Sequence, residues 1–250
     1  MKPMISFNFY LTLLIVFLTV LVFDSPVMSG SLDVQENFQT KIQRSKMIDE
    51  QLKKRGVESQ QVLDAFARVP RHLFVPEEYR TMAYADRALP IGKGQTISQP
   101  YIVAYMTEAL GLKSTDRVLE VGTGSGYQAA ILAEICDTVY SIEIIESLGK
   151  KAGKLLKEIG YANIILKIGD GYLGWQAHAP FDAIIVTCAP TQIPEPLKDQ
   201  LTEGGRMIIP VGELYVQELI LLEKKNDRLK KIKVLPVMFV PMVNQTGKIY

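Results

Sequence analysis

The stretch Arg117-Val-Leu-Glu-Val-Gly-Thr-Gly-Ser-Gly-Tyr-Gln-Ala-Ala-Ile-Leu-Ala133, followed by Val139-Tyr-Ser-Ile-Glu143, decides the fold of this chain. Its apolar run Val118 to Val121 predicts a buried parallel strand, and three glycines at alternate positions then let the backbone turn tightly against a ligand. Residues Gln128 to Cys136 have the composition and spacing of a helix, so the first amides of that helix point toward the ligand. A strand, a glycine turn, a helix and a second strand in this order are typical of nucleotide-binding α/β domains.

The acid at the end of the second strand indicates what the turn binds. Glu143 lies about twenty residues beyond the turn, where a carboxylate accepts hydrogen bonds from both ribose hydroxyls of a nucleotide. The glycines follow the pattern G-x-G-x-G, whereas sites that cradle the pyrophosphate of a dinucleotide have G-x-G-x-x-G. We therefore expect an adenosyl ligand without phosphates rather than NAD. A glycine turn alone also occurs in unrelated α/β domains, and its combination with the helix and the spaced acid makes the prediction specific.

Length and composition predict one folded domain behind an N-terminal extension. The chain has 250 residues, 48% of them hydrophobic, which is enough for a single core around a large sheet. We expect residues 1–30 to form a signal peptide or membrane anchor, residues 31–45 a linker, and residues 46–250 the domain.

The net charge and the cysteines argue against several classes of partner and site. A net charge of +1 gives no electrostatic reason to expect nucleic acid as a partner. The two cysteines, Cys136 and Cys188, have no C-x-x-C partner, so neither a disulfide framework nor a metal site is expected. Cys188 follows a predicted inner strand near the ligand crevice. It is either a catalytic thiol or, as we favour, a small apolar loop residue.

The N-terminal segment Met1 to Phe23 has the composition of a targeting or membrane segment. It has a lysine near its start and then a run dominated by Phe, Leu, Ile and Val that is long enough to cross a bilayer. Val27-Met-Ser29 offers residues that a signal peptidase accepts. A cleaved signal and a membrane anchor through residues 4–23 therefore both stay open.

Beyond Glu143 the chain alternates strands and helices, which predicts right-handed crossovers and a parallel, doubly wound sheet. The fold class that we expect is α/β, with a mostly parallel seven-stranded Rossmann-like sheet and an N-terminal helical extension broken at Gly56. The predicted elements are a helix over 145–159, strands over 164–168, 181–186 and 206–210, a helix over 195–201, and a hairpin of strands over 217–223 and 232–240.

Two further parts of the chain have both a structural and a functional interpretation. Asp170 follows the carboxyl end of a strand, where it either hydrogen-bonds an adenine amine or forms an Asp-Gly turn with Gly171. The loop Leu89 to Tyr101 leads into a helix before the glycine turn, so it can fold over the cofactor. Its hydroxyl residues Thr96 and Ser98 are either helix caps or site residues, and their spacing alone does not decide between these roles.

These pieces together resemble the class I methyltransferases that use S-adenosylmethionine, and more closely the protein-L-isoaspartate O-methyltransferases. The resemblance runs from about Met47 to Val243. Its most specific motifs are Val69-Pro-Arg-His-Leu-Phe-Val-Pro76, Gly94-Gln-Thr-Ile-Ser-Gln-Pro100, Phe181-Asp-Ala-Ile-Ile-Val186 and Phe239-Val-Pro241. By this resemblance Ser98 is the active-site serine. The cofactor-binding residues that we expect are Gln95, Thr96, Ile97, Ser98, Glu120, Gly122, Gly124, Gly126, Glu143, Asp170 and Gly171.

The resemblance implies a methyl transfer that asks little acid or base work of the protein. An isoaspartyl α-carboxylate is already ionised at neutral pH and can attack the sulfonium methyl directly. Positioning and exclusion of water should supply the rate, with the Ser98 hydroxyl orienting the carboxylate. The methyl ester closes spontaneously to a succinimide, whose hydrolysis returns some normal aspartate. The implied partners are age-damaged proteins that contain isoaspartate, and we expect a monomer.

The compartment and two competing functions stay open. A cytosolic cofactor favours a domain that faces the cytoplasm, with or without a membrane anchor, over an exported one. The cofactor half is shared across the superfamily, so a class I methyltransferase that acts on a small molecule or another protein site is an alternative. A membrane-tethered binding module without turnover is another, and the intact glycine turn, Glu143, Asp170 and Ser98 count against it.

Overall fold

The computed structural model describes residues 38–213 and 216–250. The segment 1–30, predicted to be a signal or an anchor, lies outside these described residues. In chain order the strands are β1 (Leu89–Gly92), β2 (Gln95–Ile97), β3 (Arg117–Val121), β4 (Thr138–Glu143), β5 (Ile164–Ile168), β6 (Phe181–Val186), β7 (Leu201–Glu213), β8 (Val216–Lys225) and β9 (Arg228–Val237). The helices are α1 (Phe38–Met47), α2 (Gln60–Arg68), α3 (Pro100–Leu110), α4 (Tyr127–Ala133), α5 (Glu146–Glu158) and α6 (Glu195–Asp199).

One sheet contains all the strands from β3 to β9, in the order β5-β4-β3-β6-β7-β8-β9. The first five strands in this order, β5, β4, β3, β6 and β7, run parallel. Strands β8 and β9 continue the sheet antiparallel at one edge. Strands β3, β4 and β6 are buried along almost their whole length, as expected for continuous apolar runs with layers on both sides. The predicted seven-stranded, mostly parallel α/β sheet is confirmed.

Alternate residues of each strand serve the two faces of the sheet. On one face Val118 belongs to the core that includes buried residues of α2, α3, α4 and α5. On the other face Leu119 and Val121 pack with Leu197 of α6 and with the short 3-10 turns that follow β5. The sheet is therefore covered on both sides, and a ligand reaches it at the edges where the strands end.

The helical extension before the sheet was predicted to break at Gly56, and it does. After α1 come a π turn at Ile48–Leu52 and a 3-10 turn at Lys53–Arg55. Gly56 ends this run in the left-handed conformation, with φ of 88°, and α2 starts four residues later. Helix α1 begins at Phe38, inside the stretch 31–45 for which we expected a linker. The domain boundaries as a whole remain a prediction.

A helix that crosses a membrane must be both long and apolar. No helix in the described part of the chain combines the length and the apolar character required to cross a bilayer.

The carboxyl edge of the sheet opens at its centre. From β3 the chain passes outward to β4 and β5 on one side, and it returns to β6 on the other side of β3. The loops that follow β3 and β6 therefore lead away in opposite directions, and doubly wound sheets bind their ligands in the crevice that results. The glycine turn follows β3, Glu143 ends β4 and Thr187 follows β6. These three segments frame the candidate site.

Candidate active site

The glycine turn between β3 and α4 has backbone conformations that are strained for any residue with a side chain. Gly122, Gly124 and Gly126 have φ of 99°, 53° and 86°, all in the left-handed region. Space is also lacking at Gly122, because a Cβ there would collide with Oγ1 of Thr187. The amide of Gly122 donates to the carbonyl of Ile142 at 2.8 Å, which ties the turn to the end of β4. The turn is therefore held from both neighbouring strands.

Thr187, which follows β6, ties the glycine turn to that strand. No sequence motif indicated this role in advance. Its hydroxyl lies 2.7 Å from the carbonyl oxygen of Gly122 and 3.1 Å from that of Val121, and it can donate to either. Its amide also donates to the carbonyl of Val121, at 2.9 Å. The signal that was available is its position, directly after a predicted inner strand at the edge where the glycine turn lies.

Glu143 ends β4 beside the turn, and two backbone amides hold its carboxylate. Oε2 accepts a hydrogen bond from the amide of Gly124 at 2.7 Å, and Oε1 accepts one from the amide of Ile145 at 2.9 Å. Burial raises the pKa of this carboxyl, and the amide hydrogen bonds offset part of that rise. Each carboxylate oxygen has a second acceptor position, so the group retains capacity for the two hydroxyls of a ribose.

A crevice lies over the turn and beside Glu143, at the edge where doubly wound sheets bind their ligands. Among the described residues that line it, one is a carboxylate and none is Lys, Arg or His. A negative lining without a cation disfavours phosphates. The chemistry of the crevice therefore fits the ribose and adenine of S-adenosylmethionine better than a dinucleotide. The predicted cofactor residues that line it are Gln95, Thr96, Gly122, Gly124, Glu143 and Gly171.

A second crevice adjoins the first beside the loop that precedes α3. Ser98 lines this second crevice, and Thr96, Thr187 and Val240 line both. Helix α3 has Gln99 as its N-cap and no side chain caps it, so the hydroxyls of Thr96 and Ser98 do not act as caps. The capping interpretation is wrong, and the Ser98 hydroxyl is available to a group in the second crevice.

Glu120 lies in the core beneath the turn, away from the crevice lining. Its side chain has no exposed surface, and the hydroxyl of Ser141 in β4 donates a hydrogen bond to it. Burial raises the pKa of this carboxyl to about 8, so the group is mostly neutral at pH 7. Two other predicted residues are also set back from the main crevice. Ile97 is 3% exposed, and Gly126 is the N-cap of α4.

Asp170 has the turn role that the sequence left open, together with a partner that no motif indicated. Its Oδ1 accepts from the amide of Tyr172 at 3.0 Å, and the hydroxyl of Tyr250 donates to its Oδ2. The rings of the two tyrosines stack, with centroids 4.1 Å apart. Gly171 lines the main crevice, where a Cβ would collide with Val121. The contact of Asp170 with an adenine amine remains a prediction.

Cys188 lines the main crevice next to Thr187. Burial raises the pKa of its thiol to about 12, so the group is neutral at physiological pH. Nucleophilic chemistry requires the thiolate, and the environment of this thiol opposes its formation. The interpretation of Cys188 as a small apolar residue agrees with this environment.

Comparison with known sequences gives one family. The model of the family described as protein-L-isoaspartate(D-aspartate) O-methyltransferase matches residues 42–247. A protein-L-isoaspartate O-methyltransferase of Gloeobacter violaceus is 54% identical over 200 residues, which cover 80% of this chain and 98% of the relative. A protein-L-isoaspartate O-methyltransferase 2 of Shewanella sediminis is 46% identical over 237 residues, which cover 94% of this chain and 97% of the relative.

Comparison with solved structures agrees. A protein-L-isoaspartate O-methyltransferase superposes with a TM-score of 0.75 and 32% identity, covering 82% of this chain and 67% of the other. A structure from Plasmodium falciparum, described as a putative protein-L-isoaspartate O-methyltransferase in complex with S-adenosyl-L-homocysteine, gives a TM-score of 0.69 and 27% identity. The match covers 80% of this chain and 97% of that one.

Proposed function

The chain belongs to the protein-L-isoaspartate(D-aspartate) O-methyltransferase family, and from this premise we propose which of its residues carry out the reaction. The enzyme uses S-adenosylmethionine to methylate the free α-carboxyl group of L-isoaspartyl residues in damaged proteins. The resulting methyl ester closes to a succinimide, and hydrolysis of the succinimide returns some normal aspartate. The reaction therefore begins the repair of the damaged protein.

The chemistry assigns positioning, rather than proton transfer, to the protein. S-adenosylmethionine, when bound, supplies an electrophilic methyl group on a sulfonium. The acceptor carboxylate is ionised at neutral pH, so its oxygen forms the new bond to the methyl carbon while the bond from carbon to sulfur breaks. No general base is required. The side chains of the site must align the carboxylate with that bond and exclude water from it.

On the cofactor side, Glu143 accepts hydrogen bonds from the ribose hydroxyls. Its support is the pair of amide hydrogen bonds that hold both carboxylate oxygens in place without a ligand. The glycine turn forms the wall against which the cofactor lies, and Gln95 and Thr96 line the same crevice. Glu120 acts indirectly, by packing beneath the turn.

On the acceptor side, Ser98 orients the isoaspartyl carboxylate. Its hydroxyl donates a hydrogen bond to one carboxylate oxygen and leaves the other free to attack the methyl group. The observation that carries this assignment is the junction of the two crevices. Thr96, Thr187 and Val240 line both crevices, and Ser98 lines only the second. A methyl group that leaves the cofactor crevice at this junction enters the space beside Ser98.

The experiment that tests the function uses a matched pair of peptides that differ only in isoaspartate or aspartate. The protein is produced from Ser31 onward, because the described residues from Phe38 onward belong to one compact unit. It is incubated with methyl-labelled S-adenosylmethionine, and base-labile methyl ester is counted. We expect label on the isoaspartyl peptide alone. Label on neither peptide, with cofactor binding intact, would indicate a methyltransferase with a different acceptor.

We also propose that the catalytic unit faces the cytoplasm, where its cofactor is made. Fusions of the full chain to alkaline phosphatase, active only after export, and to a fluorescent protein that matures in the cytoplasm separate the alternatives. Cell fractionation of the second fusion then shows whether residues 4–23 associate with the membrane. An active alkaline phosphatase fusion would contradict the cytoplasmic placement.

We further propose that the enzyme acts as a monomer. Light scattering during gel filtration measures the mass of the active species. Loss of specific activity on dilution, together with the mass of a dimer, would contradict this proposal.

A further inference from the structure

Arg71 is a buried charge next to the acceptor loop, the segment directly before α3 that carries Ser98. It begins the 3-10 turn Arg71–Phe74 and has no exposed surface. Its Nε donates to the carbonyl of Ala83 and its Nη2 donates to the carbonyl of Ser98, each at 2.7 Å. The guanidinium also lies over the ring of Tyr127, with Cζ 4.8 Å from the ring centroid. One side chain thus contacts three separate segments.

The charge of Arg71 makes this placement costly. Burial lowers the pKa of the guanidinium to about 10, so it still carries its charge at neutral pH. The hydrogen bonds that offset the loss of hydration go to two neutral carbonyl oxygens, and the ring of Tyr127 adds a further favourable contact. None of these groups is an anion, so removing this cation from water carries a large free-energy penalty. An apolar side chain would fill the same space without that penalty. What the guanidinium adds is a rigid, planar fork that holds two carbonyl groups at fixed positions.

The three contacts join the two halves of the active site. Ala83 lies before β1 and is fully buried, so it provides a fixed anchor for the fork. Tyr127 is the first residue of α4 and comes directly after the glycine turn. Ser98 and the turn face each other across a small cleft that Tyr127 also lines. Arg71 therefore links the acceptor loop to the cofactor turn from the protein interior.

We propose that Arg71 is a positioning residue for methyl transfer, which holds the Ser98 carbonyl so that the Ser98 hydroxyl points into the acceptor crevice at a fixed distance from the glycine turn. The inference rests on the proposed role of Ser98. Holding the carbonyl restricts the backbone dihedrals on both sides of it, so the hydroxyl keeps only its own rotamers. Positioning matters here because an error of about 1 Å in alignment lowers a rate on the order of a hundredfold.

A double-mutant cycle on the full chain tests the inference. Arg71→Lys keeps the charge but replaces the fork with one ammonium, which cannot hold both carbonyls in the same geometry. We measure kcat, KM for the isoaspartyl peptide and Kd for S-adenosylmethionine in the wild type, Arg71→Lys, Ser98→Ala and the double variant. Arg71→Lys should lower kcat roughly tenfold to a hundredfold and change the cofactor Kd far less. In the Ser98→Ala background it should cause little further loss.

Control variants separate loss of position from loss of stability. Arg80→Lys changes an exposed arginine of the same region and should leave kcat unchanged. Val62→Ala removes buried volume from α2 and should lower Tm without lowering kcat. Arg71→Met is the second variant if Arg71→Lys does not fold. It removes the buried charge, so we expect it to fold while kcat falls.

Several results would overturn the inference. These are wild-type kcat in Arg71→Lys, a kcat that follows Tm as closely in the Arg71 variants as in Val62→Ala, and losses that multiply fully in the double variant. If Ser98→Ala lowers kcat as expected, any of them counts against Arg71 alone. If Ser98→Ala leaves kcat unchanged, the proposed role of Ser98 is wrong and the role of Arg71 is wrong with it.

Discussion

Individual side chains in this site differ in how far the fold prepares them before a ligand binds. The carboxylate of Glu143 has both oxygens held by amides of the turn and of the next helix. At Ser98 the structure holds the backbone instead, because the carbonyl oxygen of Ser98 accepts a hydrogen bond from Arg71. The structure therefore fixes the carboxylate itself at Glu143, whereas at Ser98 it fixes the backbone and leaves the hydroxyl to rotate. Substitutions at these two positions should affect different steps.

Ser98→Ala should lower turnover far more than cofactor affinity. The hydroxyl lines the acceptor crevice and not the main cofactor crevice, so we expect kcat to fall roughly tenfold to a hundredfold. Single-turnover rates measure the loss, and calorimetry with S-adenosylmethionine measures the affinity. Ser98→Thr keeps a hydroxyl and should retain more activity than Ser98→Ala. Unchanged turnover in Ser98→Ala would remove this residue from the mechanism.

Glu143→Ala should act on the other half of the site. Loss of its charge-assisted hydrogen bonds to the ribose should weaken S-adenosylmethionine binding by about 1 to 3 kcal/mol. Calorimetry gives the change directly. Glu146→Ala is the matched control, since Glu146 is exposed, pairs with Lys150 and does not line the crevice. Wild-type affinity in Glu143→Ala would mean that the ribose is held by other groups.

Which residues were predictable depends on how far apart in the chain their partners lie. Glu143 and the glycines belong to one local motif, so their spacing alone indicated the cofactor site. The bond from Arg71 to Ser98 spans 27 residues and that from Tyr250 to Asp170 spans 80. Neither follows a periodic pattern, because each depends on how the loops pack. Glu120 was placed near the cofactor by its position in the motif, yet the alternation of β3 directs its side chain into the core.

Helices and strands were predicted well where burial made their pattern simple. The inner strands β3 and β6 are short apolar runs: β6 has the predicted bounds, and β3 begins one residue before the predicted Val118. Strand β7 was predicted over 206–210, with Gly204 and Gly205 before it, but it extends over Leu201–Glu213. Its additional residues near Glu213 pair with β8, and its first residue pairs with Phe181 across an irregular register. Pairing with neighbours lengthened the strand, and the local sequence holds no signal for that.

Two glycines of α5 provide a matched test of how this helix supports Glu143. Both Gly149→Ala and Gly153→Ala add helix propensity, worth about 0.5 to 1 kcal/mol. A Cβ at Gly153 meets only Leu166, at 3.9 Å, whereas a Cβ at Gly149 would overlap Ile168 and lie 3.2 Å from Cβ of Glu143. The end of the Ile168 side chain can move, but the base of Glu143 belongs to β4 and cannot.

We therefore expect Gly153→Ala to raise Tm and to leave cofactor affinity unchanged. Gly149→Ala should displace Glu143 and weaken S-adenosylmethionine binding about fivefold, the equivalent of ~1 kcal/mol. Thermal unfolding and calorimetry on the two variants measure both quantities. Equal affinities in the two variants would show that α5 does not fix the position of Glu143.

At the scale of the whole molecule, the segment after β9 completes the lining of the site, a role that the sequence did not reveal. After β9 the chain returns to the loop that follows β6, where Met242 donates to the carbonyl of Ala189 at 2.8 Å. Residues 240–243 thereby line the cofactor crevice, and Tyr250 reaches Asp170. The resemblance marked Phe239-Val-Pro241 as a family motif but assigned it no role. The sheet was predictable because it repeats a pattern, whereas this return path has no repeat.

The stability of the whole fold should depend on pH through Glu120. Burial raises the pKa of this carboxyl to about 8 from its ordinary value of 4.5. Between these values the folded protein holds a proton that the unfolded chain has released, so a rise in pH favours unfolding. The contribution is complete below about pH 4.5, declines as pH rises, and is lost above about pH 8. A shift of this size corresponds to at most about 5 kcal/mol.

Glu120→Gln isolates this contribution, because glutamine has a similar shape and does not titrate. Relative to Glu120→Gln, the wild type should lose free energy of unfolding steadily from about pH 5 to about pH 8. Urea unfolding at several pH values measures the difference between the two proteins. Other buried groups titrate in both proteins and cancel to first order, and Glu77→Gln at an exposed site controls for the change in net charge. A difference that stays constant over this range would mean that Glu120 is already ionised in the folded protein. The turn above it would then rest on a buried charge held by Ser141, and the neutral carboxyl assigned to this position would be wrong.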